Sequence, residues 1–372
     1  MTRHYLDHAS TSPARPETVA AMTRWLSHPG GDPGRIHAEG LEARVAVETA
    51  REQVAALLGA RPRSVILTSG GTEAIAAACW GAAERGGHQV VAAVEHSAVR
   101  LNAAAHGETT IVGVDDVGRI DPDELLAAVR PDTALVHIQW ANHEVATLQP
   151  VAEVVAACHE RDVLVHVDAC TAAGRVTIDF DALGADLLSV SAHKLGGPAG
   201  IGALLVRRGL RVRPLLVGGD QERARRAGIE PVALVAGFGA ACAAVLETGV
   251  EWEGNEQRHL TGRILAAVPH LDGVRVYGDP VERLPHLVCL GVEGVEPQAV
   301  LLGLDRAGVA AHSGSACSSE SLEPSPVLEA MGVDAHHSLR LSVGWSTTED
   351  DVDVALAALP GILAHLRSLA PG

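Results

Sequence analysis

The feature of this sequence that most constrains its fold is the alternation of short apolar runs with amphipathic stretches along the middle of the chain. Segments such as 123–130 and 151–162 place apolar residues at helical spacing. Between such segments lie six apolar runs that are typical of buried strands: 90–94, 109–114, 134–140, 163–169, 187–193 and 202–208. Strands that alternate with helices usually form a mostly parallel sheet covered on both faces. The sequence therefore predicts an α/β fold.

The remainder of the chain predicts a second, smaller unit. A charged, glycine-containing segment at 215–231 interrupts the alternation, and an alanine-rich stretch at 232–268 then predicts a long helix in two pieces. An α+β region follows and ends in an amphipathic helix. A chain of 372 residues is long enough for two domains. We expect a large domain at 15–255 and a small domain made of 1–14 and 256–372.

Composition narrows the possible partners. The formal net charge is -17, whereas binding to nucleic acid or to an anionic membrane needs a positive patch, so neither is expected. No N-terminal signal and no apolar run of transmembrane length is evident. The six cysteines are scattered without a CxxC pair, which predicts no disulfide framework and no metal site and fits a reducing cytoplasm. Because only 2% of residues are aromatic, aliphatic side chains and close approach at glycines must build the core.

Lys194 is the first candidate for chemistry. It follows a predicted strand, precedes a glycine-rich turn and is flanked by Ser191 and His193. A lysine at a strand end is most often a solvated surface charge. Held against a buried sheet edge, however, its amine can stay neutral and act as a Schiff-base nucleophile. The natural electrophile for such an amine is the aldehyde of pyridoxal phosphate.

That cofactor requires three further features, and each has a candidate. Gly71 and Thr72 precede a helix predicted to begin at Glu73, whose N-terminus can bind a phosphate. Asp168 closes a predicted strand and can keep a pyridine nitrogen protonated. His96, just after another strand, can lie flat on the ring. Each also has an ordinary structural explanation, respectively a common strand–helix turn, a helix N-cap and a packed histidine.

A thiol in a segment of small residues is the last candidate. Cys317 lies in AAHSGSACSSES, residues 310–321, which has almost no bulk for a core. It is either a small residue of a surface loop or a mobile, solvent-reachable nucleophile. Cys170 and Cys289, by contrast, lie in apolar strand contexts where a thiol is normally inert.

Taken in order, the motifs of this chain resemble those of cysteine desulfurases, which are fold-type-I pyridoxal-phosphate enzymes of the class V aminotransferase superfamily. The resemblance covers residues 4–355 and implies a mostly parallel seven-stranded sheet with helices on both faces plus a smaller α+β domain. It also implies a homodimer that converts L-cysteine or a related sulfur amino acid. The motifs include YLDHASTS, LTSGGTEA, VEHSAV, VHVDA, DLLSVSAHK, GSACSS and SLRLSVG.

The resemblance also assigns a role to each candidate. Lys194 would bind the cofactor as a Schiff base, Asp168 would pair with its ring nitrogen, and His96 would stack on the ring and assist proton transfer. Arg340 in SLRLS would clamp the substrate carboxylate. Cys317 would take the sulfur as a persulfide and pass it to an acceptor protein, as in the long-loop branch of the family. The phosphate would be held by Gly71, Thr72, Ser191 and His193.

Three positions depart from the family pattern. His143 replaces an asparagine that contacts cofactor and substrate, and Thr171 replaces a glutamine that binds the cofactor's phenolic oxygen. Ile229 replaces a threonine that reaches the phosphate of the neighbouring subunit. We hypothesise that His143 and Thr171 are a compensated pair, and that charge near Ile229 comes from Arg223, Arg225 and Arg226. The altered pocket leaves two alternatives open, a class V C–S lyase or transferase of a specialised pathway and a catalytically weak sulfur-relay protein.

Overall fold

A computed structural model describes residues 2–27, 30–313 and 324–369. Its strands are β1 (His4–Tyr5), β2 (Val65–Thr68), β3 (His88–Ala92), β4 (Glu108–Val112), β5 (Thr133–Gln139), β6 (Leu164–Asp168), β7 (Leu187–Ser191), β8 (Gly202–Val206), β9 (Val274–Tyr277), β10 (Leu287–Val292), β11 (Val309–Ala310) and β12 (Ser338–Ser342). Its helices are α1 (Pro16–Leu26), α2 (Ala38–Leu57), α3 (Gly71–Ala82), α4 (Ser97–His106), α5 (Pro122–Ala127), α6 (Val151–His159), α7 (Phe180–Leu183), α8 (Gln221–Ala224), α9 (Val232–Thr248), α10 (Val250–Ala267), α11 (Pro297–Arg306), α12 (Pro326–Ala330) and α13 (Glu349–Leu369).

The main sheet has seven strands within the described residues, in the order β2-β8-β7-β6-β5-β3-β4. Strand β8 runs antiparallel to both of its neighbours, and the other adjacent pairs are parallel. The prediction of a mostly parallel sheet is confirmed. In the register of the central strands, Gln139 pairs with Asp168 and Asp168 pairs with Ser189. The carboxyl ends of β5, β6 and β7 therefore meet at one edge, where open α/β sheets bind ligands.

Helices cover both faces of this sheet because neighbouring residues of a strand point in opposite directions. Leu135, Leu164 and Leu187 pack in a cluster with the alanines of α3. The next residue of each strand packs in the larger core, with residues of α2, α6 and α9: Val136, Val165 and Leu188. Both faces of the central strands are thus apolar, which is why those strands appear as nearly continuous apolar runs.

Glycines bring the helices of the larger core into close contact, as the low aromatic content predicts. A Cβ atom added at Gly237 of α9 would lie 2.7 Å from Met22 of α1. One added at Gly239 would lie 2.6 Å from Ala50 of α2. Side chains at these two positions would push the three helices apart.

A second, three-stranded antiparallel sheet in the order β12-β10-β9 forms the smaller unit. Its core takes in residues of α10, α11 and α13, and β1 joins it by pairing with β11. The alanine-rich stretch is two helices, as predicted, with a bend of 79° between α9 and the segment that follows it. The larger core also includes Val327 and Leu328, which lie in the segment assigned to the small domain. The proposed domain limits stay a prediction.

Helix α13 is long and apolar enough to cross a membrane when only its length and composition are considered. No apolar run of transmembrane length is evident there in the sequence, because polar residues interrupt the apolar ones. In the fold, four apolar side chains of α13 pack in the core of the smaller unit: Val352, Ala355, Leu359 and Leu363.

Candidate active site

A cavity of about 620 Å³, called the first cavity below, lies at the carboxyl ends of β5, β6 and β7. The candidate residues that the structure describes all line it: Gly71, Thr72, His96, His143, Asp168, Thr171, Ser191, His193, Lys194 and Arg340. Cys317 lies outside the described residues. Residues that are far apart in the sequence thus meet at the sheet edge where the strand pattern places them.

Lys194 lies just after β7, and its side chain is partly buried. Its Nζ donates a long hydrogen bond of 3.4 Å to Thr171 Oγ1. Burial lowers the pKa of Lys194 below its ordinary value, and the positive charge of Arg340 lowers it further, against the opposing effects of Cys170 and Asp168. Lys194 is also the only lysine in the sequence, so it supplies the only side-chain amine for a Schiff base. The presence of a single lysine in the sequence therefore indicates the Schiff-base residue more strongly than the motif around Lys194 does.

Asp168 ends β6 as a buried carboxylate. Its Oδ1 accepts hydrogen bonds from Cys170 N at 2.9 Å and from Ser189 Oγ at 3.2 Å. Burial alone would raise its pKa, but the hydrogen bonds from Cys170 and the nearby His166 and His96 together outweigh burial, and the pKa of Asp168 is lowered. A buried carboxylate that stays ionised matches the protonated nitrogen of a pyridine ring.

His96 is the N-cap of α4, and its ring is held in one tautomer. Its Nδ1 accepts from Ala98 N at 3.1 Å, which places the proton of the neutral ring on Nε2. Burial, reinforced by His143, lowers the pKa of His96 to about 3, so the ring is neutral at physiological pH. The rings of His96 and His143 meet edge to face, with centroids 5.1 Å apart. The N-cap alternative considered for Asp168 therefore applies to His96, which also lines the cavity.

The first turn of α3 faces the first cavity. The helix begins at Gly71, two residues earlier than predicted, because Gly70 rather than Thr72 is its N-cap. Gly70 has no side chain that could accept a hydrogen bond from the first turn of the helix, so backbone N–H groups of this turn remain available to an anion. A Cβ atom at Gly71 would lie 2.5 Å from Cys170 Sγ, which explains the glycine. His193 beside them is neutral, because burial lowers its pKa to about 4.

Arg340 lies on β12 and is 1% exposed. Its Nη1 donates to the carbonyl oxygen of His143 at 2.9 Å. Its Nη2 donates to Asp7 Oδ1 at 3.2 Å and to Ser10 Oγ at 2.7 Å, while its buried Nε has no partner among the described residues. Asp7 and Ser10 were not predicted as site residues, although both lie in the YLDHAS motif that carries the resemblance. They position the guanidinium at the wall of the cavity.

The position of Cys170 differs from the one predicted from the sequence. This residue was expected in an apolar strand, but β6 ends at Asp168, so Cys170 lies in the following turn and lines the first cavity. Burial, together with the charge of Asp168, raises the pKa of Cys170 well above its ordinary value. Cys289 is buried within β10, as expected, and burial raises its pKa to about 12. Both thiols are therefore protonated and poorly nucleophilic.

The arginines near Ile229 bind acceptors of their own chain. Arg226 Nε donates to Glu73 Oε1 at 2.9 Å, and Arg225 donates to the carbonyl oxygen of Arg63 at 3.0 Å. Arg223 reaches Glu48 at 3.3 Å. Ile229 itself is 61% exposed. All three arginines thus bind acceptors of their own chain, and the hypothesis that they supply charge near Ile229 stays a prediction.

The residues present fit pyridoxal phosphate. One partly buried amine, one ionised buried carboxylate, a neutral ring and an uncapped helix N-terminus line a single cavity. These groups match the aldehyde, the pyridine nitrogen, the ring face and the phosphate of that cofactor, respectively.

Comparison with known proteins gives the same assignment. Residues 4–355 match the family described as "Aminotransferase class-V". A protein of Trichormus azollae named "Cysteine desulfurase" is 42% identical over 382 residues, covering 99% of this chain and 94% of that protein. The solved structure of a "NifS-like protein" has a TM-score of 0.91 at 30% identity and covers 98% of this chain and 100% of that one. The structure "SspA in complex with cysteine" has a TM-score of 0.81 at 28% identity and covers 93% and 100%, respectively.

Proposed function

The chain belongs to the class V aminotransferase family and is a pyridoxal-phosphate-dependent cysteine desulfurase, and we propose that Lys194, Asp168 and Cys317 carry its chemistry on L-cysteine. One observation carries this assignment of residues. The amine of the only lysine and the buried carboxylate of Asp168 line the same cavity as the first turn of α3.

The cofactor would be held at four places. Lys194 would bind its aldehyde carbon, Asp168 its ring nitrogen and His96 its ring face. The first turn of α3, with Ser191 and His193, would bind its phosphate. When bound, pyridoxal phosphate supplies an electron sink that allows bonds near the substrate's α-carbon to break.

The residues of the chain then bind the substrate and move protons. Arg340 binds the carboxylate of L-cysteine, because its guanidinium is fixed by Asp7 and Ser10 before the substrate arrives. Burial lowers the pKa of Lys194, so its Nζ releases a proton more readily than an exposed lysine does. The Nε2–H of His96 is a second proton donor at the wall of the cavity.

Cys317 would receive the sulfur. Its thiolate attacks the substrate's sulfur, so that an S–S bond forms as the C–S bond breaks. The bonding electron pair stays with carbon, which takes a proton and becomes the methyl group of L-alanine. L-cysteine and the Cys317 thiol thus give L-alanine and a Cys317 persulfide, and no external oxidant is required. This role rests on the GSACSS motif.

Product analysis with free L-cysteine tests the assignment of the thiol. Cys317→Ser is expected to abolish persulfide and nearly all alanine while leaving cofactor binding unchanged. Cys170→Ser is the matched control, because Cys170 also lines the cavity but its raised pKa keeps it protonated. We expect this control to keep the parent's alanine yield. A persulfide found on Cys170 in the parent would show that the wrong thiol was chosen.

The enzyme is further proposed to act as a homodimer. Val217 and Ile229, which lie near the two ends of the charged segment 215–231, are 79% and 61% exposed, and exposed apolar side chains favour an interface. Ile229→Asp is expected to shift the sedimentation coefficient towards the monomer and to reduce alanine formation. Val281→Asp, at a residue 77% exposed in another part of the chain, is the control. A monomeric parent with full activity would refute the dimer.

The sulfur is proposed to pass to an acceptor protein in a reducing cytoplasm. Five cysteines are free in the structure, and four of them are buried. Free thiols of this kind suit a reducing compartment. Transfer of labelled sulfur from the Cys317 persulfide to a co-purifying protein tests the acceptor. Exclusive release as sulfide in the presence of cell extract would contradict it.

A further inference from the structure

A second cavity, of about 610 Å³, lies where the two units of the protein meet. It is bounded by the start of α1, the end of α9, the first turns of α10 and the segment 344–349. Desulfuration as described above uses none of the residues that line it. We therefore asked which ligand its lining fits.

The lining is strongly acidic and carries two indole rings. Trp252 and Trp345 contribute the rings. Among the described residues of the lining, Arg15 is the one guanidinium, against five carboxylates: Glu17, Glu247, Glu253, Glu256 and Glu349. Glu253 pairs with Arg15, and Glu349 pairs with Arg263 outside the lining, so Glu17, Glu247 and Glu256 carry the excess negative charge. A lining of this charge attracts a cation, and indole faces favour an organic cation through cation–π contact.

Buried polar atoms of this lining lack partners. Gln257 is 2% exposed, and neither its Oε1 nor its Nε2 has a hydrogen-bond partner among the described residues. Glu253 is 4% exposed, and its Oε1 is also without one. Arg15 does not satisfy that atom, because Arg15 Nη2 donates to Glu253 Oε2 at 2.7 Å and Arg15 Nε donates to the carbonyl oxygen of Leu195. Buried polar groups in native proteins are nearly always paired, so these side chains point to a missing ligand.

We propose that the second cavity binds an organic cation that carries several N–H donors, namely a guanidinium or ammonium group on a short carbon chain. Glu253 Oε1 and Gln257 Oε1 have almost no accessible surface, so the two side chains would turn towards the cavity to accept from the N–H groups of the cation. The carbon chain of the cation would pack on Trp252, because the guanidinium of Arg15 already lies over the ring of Trp345, 5.6 Å from its centroid. A metal ion fits less well, because the described residues contain no group of three or more His, Cys, Asp or Glu able to hold one. The cation is either a free small molecule or a basic side chain of a partner protein.

Isothermal titration calorimetry of the cofactor-loaded enzyme tests this site. The probes are agmatine, a short arginine-containing peptide and the neutral analogue N-butylurea. Agmatine or the peptide is expected to bind at one site per chain, with affinity that falls as salt is added, while the urea does not bind. Tight binding of agmatine identifies a free cation as the ligand, and binding of the peptide alone identifies a partner's side chain.

Gln257→Leu is the decisive variant. It is expected to weaken binding about tenfold or more, since it removes a hydrogen bond to a charged group. It should also raise the melting temperature of the unliganded enzyme, because an unpaired buried amide is replaced by an apolar group of similar size. That rise shows that the variant folds. Gln298→Leu, at an exposed glutamine of α11, is the matched control and should change neither quantity.

A second control locates the bound probe. Thr171→Val alters the first cavity and should leave binding of the probe unchanged. Failure of both agmatine and the peptide to bind the parent enzyme would overturn the proposal. Equal affinity of the parent and Gln257→Leu would overturn it too. These measurements do not depend on alanine formation, so a failure of this proposal can be distinguished from a failure of the proposed catalytic roles.

Discussion

The two cavities have almost the same volume, about 620 and 610 Å³, yet their linings differ in how charge is held. In the first, Asp168 and Arg340 are buried and fixed by hydrogen bonds from the chain itself. In the second, exposed carboxylates surround two buried side chains with unpaired atoms, Glu253 and Gln257. Volume alone therefore does not distinguish a reaction site from a binding site.

Burial has a different consequence in each lining. In the first cavity it lowers the pKa of Lys194, which then releases a proton more readily than an exposed lysine, and it lowers the pKa of His96, which stays neutral. Such perturbed groups are typical of catalytic sites. In the second cavity, burial leaves hydrogen-bonding capacity unused. The first lining is thus prepared for chemistry, and the second for recognition.

The largest effect should come from the centre of the first cavity. Lys194→Ala removes the only side-chain amine that can bind the cofactor's aldehyde. Alanine formation should fall by at least about 10²–10⁴-fold, the contribution of one positioned acid–base group. Borohydride reduction should fix the cofactor on the Lys194 peptide of the parent and on no lysine peptide of the variant. A parent enzyme that forms no reducible adduct would contradict the assignment, and unchanged binding of agmatine in Lys194→Ala would separate the two cavities.

The next effect concerns the second cavity and falls on stability. Glu253 and Arg15 form a buried ion pair at 2.7 Å, with side chains 4% and 6% exposed. Glu253→Gln leaves the buried charge of Arg15 uncompensated, which should lower the free energy of unfolding by about 3 kcal/mol. Urea denaturation measures this. Glu256→Gln, at an exposed carboxylate of the same lining, should change stability little, and an equal loss in both variants would contradict the argument.

A smaller effect tests the departures from the family pattern. Thr171 Oγ1 accepts from Lys194, and the His143 ring stacks edge-on against His96, so both residues contact groups that line the first cavity. His143→Asn and Thr171→Gln alone should each reduce alanine formation, by the equivalent of about 1–3 kcal/mol for a lost buried hydrogen bond. The double variant should recover it. A double-mutant cycle with purely additive effects would refute the compensated pair.

The smallest effect is a pH dependence at Glu95, behind the first cavity. This carboxyl is 1% exposed, and its Oε1 accepts from Gln139 N at 2.5 Å. Burial, together with the charge of Asp168, raises the pKa of Glu95 well above its ordinary value. A raised folded-state pKa gives stability that is complete below the unfolded pKa and is lost as pH rises through the folded one.

Glu95→Gln cannot ionise and keeps the acceptor for Gln139. This variant should lose less stability than the parent as pH rises above the ordinary pKa of a glutamate. In that range its free energy of unfolding should exceed the parent's by about 1 kcal/mol, the ordinary size of a point-substitution effect. Thermal melts across pH measure this. Glu160→Gln, at an exposed carboxyl, should leave the parent's profile unchanged. A parent whose stability does not fall as pH rises above the ordinary pKa of a glutamate would show that Glu95 is ionised in the folded state.

The sequence alone determined the sheet and most of the first cavity. The spacing of apolar residues and the ends of strands are local properties of the sequence, so the apolar runs predicted the central strands. The last residues of those runs predicted where Asp168, Ser191 and Lys194 meet. The amino-acid composition also predicted how the helices pack, since a chain with few aromatic residues needs glycines where helices are in contact. The single lysine fixed the only possible Schiff-base amine.

The tertiary structure alone decided what holds these residues and what else the fold encloses. Asp7 positions Arg340 across 333 residues of sequence, and Arg15 pairs with Glu253 across 238. Cys170 belongs to the cavity rather than to a strand only because β6 stops two residues earlier. Contacts of this kind depend on how separate elements pack and not on local periodicity. The second cavity arises in the same way, because its walls come from four segments that share no pattern in the sequence.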